Sequence, residues 1–148
     1  MAVVDYWAIE EACAAVLRAD DDMFGVTVQV EEEFLLSAEM APIVLVYLDD
    51  RTAVEADQRL SAGTRTDFDL NFSLWCGEAD FGGLPLAIQK RSALIAKVEV
   101  ALMRQRTLNG AVAKLRLTGG QMAPGSREDT GFIAWGEVRF TASVFART

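Results

Sequence analysis

The side chains that most often carry chemistry are scarce in this chain and badly spaced for it. There is no histidine, which removes the commonest general base, metal ligand and triad partner. Cys13 and Cys76 stand 63 positions apart, each among apolar neighbours. With no second pair they offer no zinc spacing, and they read as small buried hydrophobes of a reducing, cytosolic compartment. Neither a G-x-x-x-x-G-K-[ST] nor a G-x-G-x-x-G run occurs, and Gly119-Gly120 sits in a polar stretch that suits a turn better than a phosphate cradle.

Carboxylates and one basic stripe remain. Glu31-Glu32-Glu33 and Asp49-Asp50 are adjacent acids. Paired acids can exchange protons or hold magnesium, but neighbours on a strand point to opposite faces, so these runs read as solvated surface. Asp20, Asp22, Gly25 and Glu31 fall at positions 1, 3, 6 and 12 of a calcium loop. Phe24 occupies the fifth position and offers no oxygen, and a strand follows where a helix is required. No catalytic residue, metal site or cofactor is therefore predicted. Lys90, Lys97 and Arg104 repeat every seven residues and share the outer face of a predicted helix. They suit an acidic partner surface, a nucleic-acid backbone or plain solvent. Nucleic acid fits least, because no aromatic residues interleave and the whole chain carries a net charge of -8.

That charge is divided. Residues 1–57 hold 14 acids and 2 bases, whereas residues 58–148 hold 8 acids and 12 bases. Two unlike halves can complement each other between copies, or can both simply face water. A length of 148 residues predicts one domain spanning 1–148, and a 51% hydrophobic content gives it enough apolar matter for a core. No apolar run approaches the ~20 residues of a membrane span. The opening MAVVDYWAIEE lacks the basic and apolar regions of a secretory leader.

The elements that would position these residues follow from periodicity. Residues 5–19 read as a helix with Asp5 as N-cap and a stripe of Tyr6, Ile9, Cys13, Val16 and Leu17. Residues 26–34 alternate, with Glu31 and Glu33 on the outer face. Ile43 to Leu48 is apolar throughout and predicts a central strand, ended by Asp49-Asp50. Residues 51–63 look like a polar excursion. Residues 64–76 alternate cleanly, with Phe68, Leu70, Phe72, Leu74 and Cys76 on one side. A turn is expected at Gly77 to Gly83, then the longest helix over 85–106 with Ile88, Leu94, Ile95, Val98, Ala101 and Leu102 inward, ended at Asn109-Gly110. Lys114 to Thr118 reads as a short strand, about 119–131 as a mobile loop, and 132–145 as a last strand. The order α-β-β-β-α-β-β predicts an α+β fold: a mostly antiparallel sheet with two helices packed on one face.

This order resembles the tail terminator, or tail-completion, proteins of long-tailed bacteriophages. The matched features are a helix near the start, VTVQVEEEF followed by PIVLVYL, then TRTDFDLNFSLWC leading into LAIQKRSALIAKVEVALMRQR, and a closing WGEVRFTASVF. The resemblance implies a virion structural protein and not an enzyme. It implies a ring of its own copies, a hexamer, that caps the tail tube, stops its polymerisation and joins it to the head connector. The tail tube protein and the connector or neck protein are then its partners. DNA would pass through the channel without specific binding, and no membrane is involved. The location is the head–tail junction of the virion after synthesis in the host cytoplasm. The charge-divided chain makes Lys90, Lys97 and Arg104, with Glu31 and Glu33, the candidate subunit interface. Another neck or tail-tube subunit, and a small carboxylate-dependent enzyme, are the alternative readings.

Overall fold

A computed structural model describes residues 4–31, 41–54, 65–128 and 131–147, with backbone alone for 65, 66, 128, 146 and 147. The elements run α1 (Tyr6–Ala19), a 3-10 turn (Asp21–Met23), β1 (Thr27–Val30), β2 (Ile43–Val54), β3 (Arg65–Asp80), α2 (Leu84–Arg104), β4 (Lys114–Gly119), β5 (Ser126–Glu128) and β6 (Gly131–Arg147). The strands form one sheet in the order β1-β2-β3-β6-β4, with β5 also on β6. Only β1 with β2 is a parallel pair among these strands; the other pairings are antiparallel. The α+β architecture expected from the sequence is therefore the one observed.

Both helices form because each presents an apolar stripe. In α1, Asp5 caps the start by accepting from the Ala8 N–H at 3.0 Å, and Ile9, Cys13, Val16 and Leu17 are buried. In α2, Leu94, Ile95, Val98, Ala101 and Leu102 are buried, with Pro85 in the first turn. These stripes pack on one sheet face, built from Val28, Val44, Val46, Leu70, Phe72, Leu74, Cys76, Leu115, Val138, Phe140 and Ala142. Phe72 and Phe140 stack there with ring centroids 4.6 Å apart. Part of the opposite face is covered by a smaller cluster of Ile43, Leu45, Ile133 and Trp135. That is why Ile43 to Val46 is apolar without alternation: both faces of β2 are covered over this stretch.

Four boundaries differ from the sequence expectation. Asp49-Asp50 does not end β2, which continues to Val54 and takes in the first residues of the expected excursion; 55–64 lie outside the described residues. A bulge between Leu48 and Asp50 absorbs the irregularity. Asn71 Nδ2 donates to Asp50 Oδ1 at 2.5 Å and Ser73 Oγ donates to Asp49, so cross-strand partners satisfy both acids. Gly77 is no turn either. It lies within β3 because Trp135 rests on it; a Cβ there would lie 2.7 Å from the indole ring. The long helix stops at Arg104, ahead of Asn109-Gly110. Left-handed backbone at Leu108, Asn109 and Gly110 belongs to the turn that follows. Finally, the expected loop after β4 holds β5. The Ala123 N–H donates to the Trp135 carbonyl at 3.1 Å and the Glu137 N–H to the Gln121 carbonyl at 2.7 Å, so much of this segment runs along β6.

Candidate assembly interface

The basic stripe does lie on the exposed side of α2, yet two of its three members are engaged within the chain. Lys90 Nζ is 3.0 Å from Asp80 Oδ2 and donates to the Ala79 carbonyl at 3.3 Å. This lysine holds the Asp80 carboxyl below the usual carboxylate range, with the Gly82 N–H assisting. Arg104 Nη1 lies 3.2 Å from Asp20 Oδ2 and 3.1 Å from Asp22 Oδ2. The two acids raise the arginine's affinity for its proton. Lys97 is exposed and acts at longer range on Glu78, whose carboxyl is pushed up by burial, against the opposing pull of Lys90 and Lys97. The -12 half and the +4 half of the chain thus meet partly inside one molecule, and Lys97 is the stripe residue least committed there.

Glu31 does not lie on the outward face of a strand. It follows β1 with a left-handed φ of 54°, and its Oε1 accepts from the Leu48 N–H at 3.4 Å. Glu33 lies outside the described residues. Asp20 and Asp22, the first two positions of the calcium-like spacing, turn towards Arg104, and Phe24 is 95% exposed. Among the described residues no three Cys, Asp or Glu side chains gather in a way that suits a metal. Burial pushes both cysteine thiols well above their ordinary value, so neither is a ready nucleophile.

Two surface features escape the periodicity argument. The uncovered part of the sheet forms a groove of about 730 Å³ lined by Asp49, Asp50, Asn71, Ser73, Trp75, Thr118, Glu137, Arg139 and Thr141. Thr141 Oγ1 donates across the strands to Asn71 Oδ1 at 2.8 Å, and Arg139 Nε pairs with Glu137 Oε1 along β6 at 2.7 Å. Beyond the groove, Ser143 Oγ donates to Asp69 Oδ1 at 3.3 Å. The alternation over 64–76 leaves Asn71 and Ser73 on the side away from Phe72 and Leu74, but only the pairing register sets them beside Thr141 and Arg139.

The second feature is apolar. Phe81, 72% exposed, follows the last residue of β3, with Leu86 close by on α2. Phe145, 45% exposed, and Val54 flank Asp67 near the first residues of β3. Asp67 and Asp80 are thirteen residue steps apart along extended chain, roughly 40 Å at about 3.3 Å per step. Shallow hollows of about 270, 170 and 240 Å³ converge on Phe145. The long strands therefore end in exposed aromatic residues at both extremes, in unlike surroundings.

No family model matches this chain, and no curated protein matches it. Among solved structures, a chain described as part of the virion of a native gene transfer agent particle aligns over 93% of this chain and 94% of that one, at 17% identity and a TM-score of 0.33. A likeness at this level carries no argument about fold or role. No helix among the described residues is long and apolar enough to cross a membrane.

Proposed function

We propose that this chain is a virion structural protein of the tail terminator kind: a non-catalytic subunit that closes into a hexameric ring, caps the tail tube and joins it to the head connector. The observation that carries the reading is the pair of exposed apolar ends. A subunit that joins two different structures needs two unlike docking surfaces, one towards each. Phe81 with Leu86 lies at one end of the long strands, and Phe145 with Val54 at the other. Buried aromatic anchors supply most of the energy in such contacts. Unlike charge supplies orientation more than affinity, a role open to Lys97. The order of elements resembles that family over nearly the whole chain, and DNA passing the ring would need no specific contact.

The test is to measure the mass of the purified protein and then add it to growing tail tubes. The expected result is a closed ring on the tube end and tubes of fixed length. Open-ended tubes made of this protein alone would point instead to a tail-tube subunit. A divalent-metal-dependent activity would point to a carboxylate enzyme.

A further inference from the structure

Glu10 is the one acid placed squarely on the buried stripe of α1, one turn from Tyr6, Cys13 and Ala14. Its residue is only 6% exposed, and its Oε2 is buried with no hydrogen-bond partner among the described atoms. A charged carboxylate in that position, without a cation, is strongly disfavoured. The Glu31 carboxyl is close enough to act on it. Carboxylates are acceptors only, so two of them can bond to each other only if one keeps its proton. Glu31 has a left-handed backbone, and its Oε1 accepts from the Leu48 N–H of β2 at 3.4 Å.

We propose that Glu10 and Glu31 share one proton and form a pH-sensitive latch tying α1 to the parallel β1–β2 pair, closed when the proton is held and released when it is lost. Burial pushes the Glu10 carboxyl up, and the neighbouring Glu31 carboxyl pushes it further, to about 8. The Leu48 N–H opposes this, and Glu11 adds a small upward push. Cys13, one turn on, is kept neutral by burial. The arginines on these elements are engaged with other groups. Arg18 binds the Val28 carbonyl at 2.6 Å and lies 3.9 Å from Glu11, while Arg51 of β2 holds the Tyr6 hydroxyl at 3.0 Å and lies over the Tyr6 and Phe68 rings.

The sign of the linkage follows. An acid whose folded value is raised favours the folded state fully below its unfolded value, here 4.5, and that stability is lost as pH rises through the folded value near 8. The latch is independent of the tail terminator reading, since it depends only on the isolated fold.

The experiment compares wild type with Glu10→Gln and Glu31→Gln between pH 5 and 10. Thermal unfolding, carboxyl-carbon NMR of Glu10 and amide exchange at 27–31 and 43–48 are followed. We expect the wild-type melting temperature to fall across this range relative to Glu10→Gln, and Glu10 to titrate well above an ordinary glutamate. Exchange in both segments should quicken as Glu10 ionises. Glu31→Gln should lower the Glu10 titration point, which keeps the test decisive if Glu10→Gln folds poorly. An ordinary Glu10 titration, or the same pH slope in wild type and Glu10→Gln, overturns the proposal. So does a calcium-induced rise in melting temperature lost in Glu10→Gln, because a cation would then join the pair.

Discussion

Arg104 Nη1 lies 3.2 Å from Asp20 Oδ2, which joins the last turn of α2 to the end of α1 across 84 residues of sequence. Asp22 completes the clasp at 3.1 Å. Reversing the whole basic stripe would therefore set a new carboxylate against two others, and a loss of assembly could be a loss of fold. The three positions separate the two effects. Arg104→Glu should lower the melting temperature, and added salt should shrink that loss. Lys97→Glu should unfold like the wild type and assemble less well on tail tubes, most visibly at low salt. Equal assembly of Lys97→Glu and wild type at every salt concentration would mean that this helix face meets only water.

Gly77→Ala tests the contact with Trp135. The added methyl would lie 2.7 Å from the indole, so the ring or the strand must move. Overpacking of this kind costs about 1–3 kcal/mol. Denaturant unfolding should show the loss, and the near-ultraviolet dichroism of the tryptophans should change with it. A variant as stable as wild type would place Trp135 elsewhere in solution.

Arg91 is 8% exposed, and its Nη1 donates to the carbonyls of Ala123 at 3.0 Å and Trp135 at 3.3 Å. It is a polar side-chain tie between α2 and the segment after β4. Arg91→Met keeps the length and apolar packing while removing both bonds. Amide exchange should rise across 121–125, with α2 itself little changed. Uniform protection in both proteins would show that the β6 pairing alone holds this segment.

Calcium, magnesium or zinc at millimolar concentration should leave the melting temperature of the wild-type protein unchanged near neutral pH. The calcium-like spacing has Asp20 and Asp22 paired to Arg104 and a strand where a second helix would be needed. A saturable rise, which ligand linkage would produce at a real site, would contradict this.

Much of the fold could be read from alternation and helical spacing, because burial acts on each residue locally. Phe68, Leu70, Phe72, Leu74 and Cys76 all face the helices, and Ile9, Cys13, Val16 and Leu17 face the sheet. The failures occur where a distant partner decides. Asp49 and Asp50 read as a stop until Ser73 and Asn71 stand opposite them. Gly77 reads as a turn until Trp135 lies over it. The short strand Ser126–Glu128 exists only because β6 is long enough to offer it an edge. The candidate interface was legible as a row of charges, but not its neutralisation by Asp80, Asp20 and Asp22. Glu10 carried the one missed local signal, an acid on an apolar helical stripe. Its meaning depended on the backbone turn at Glu31.

The register between β3 and β6 runs unbroken from Arg65↔Arg147 to Asp80↔Phe132. A pull applied along these strands, between the Phe81 end and the Phe145 end, loads all the rungs of that ladder together. A pull across them would open the rungs one after another. The molecule is thus mechanically anisotropic. It is stiffest in tension along the line that joins its two exposed aromatic ends, and it would yield most readily by peeling at the edge strand β1 or β4.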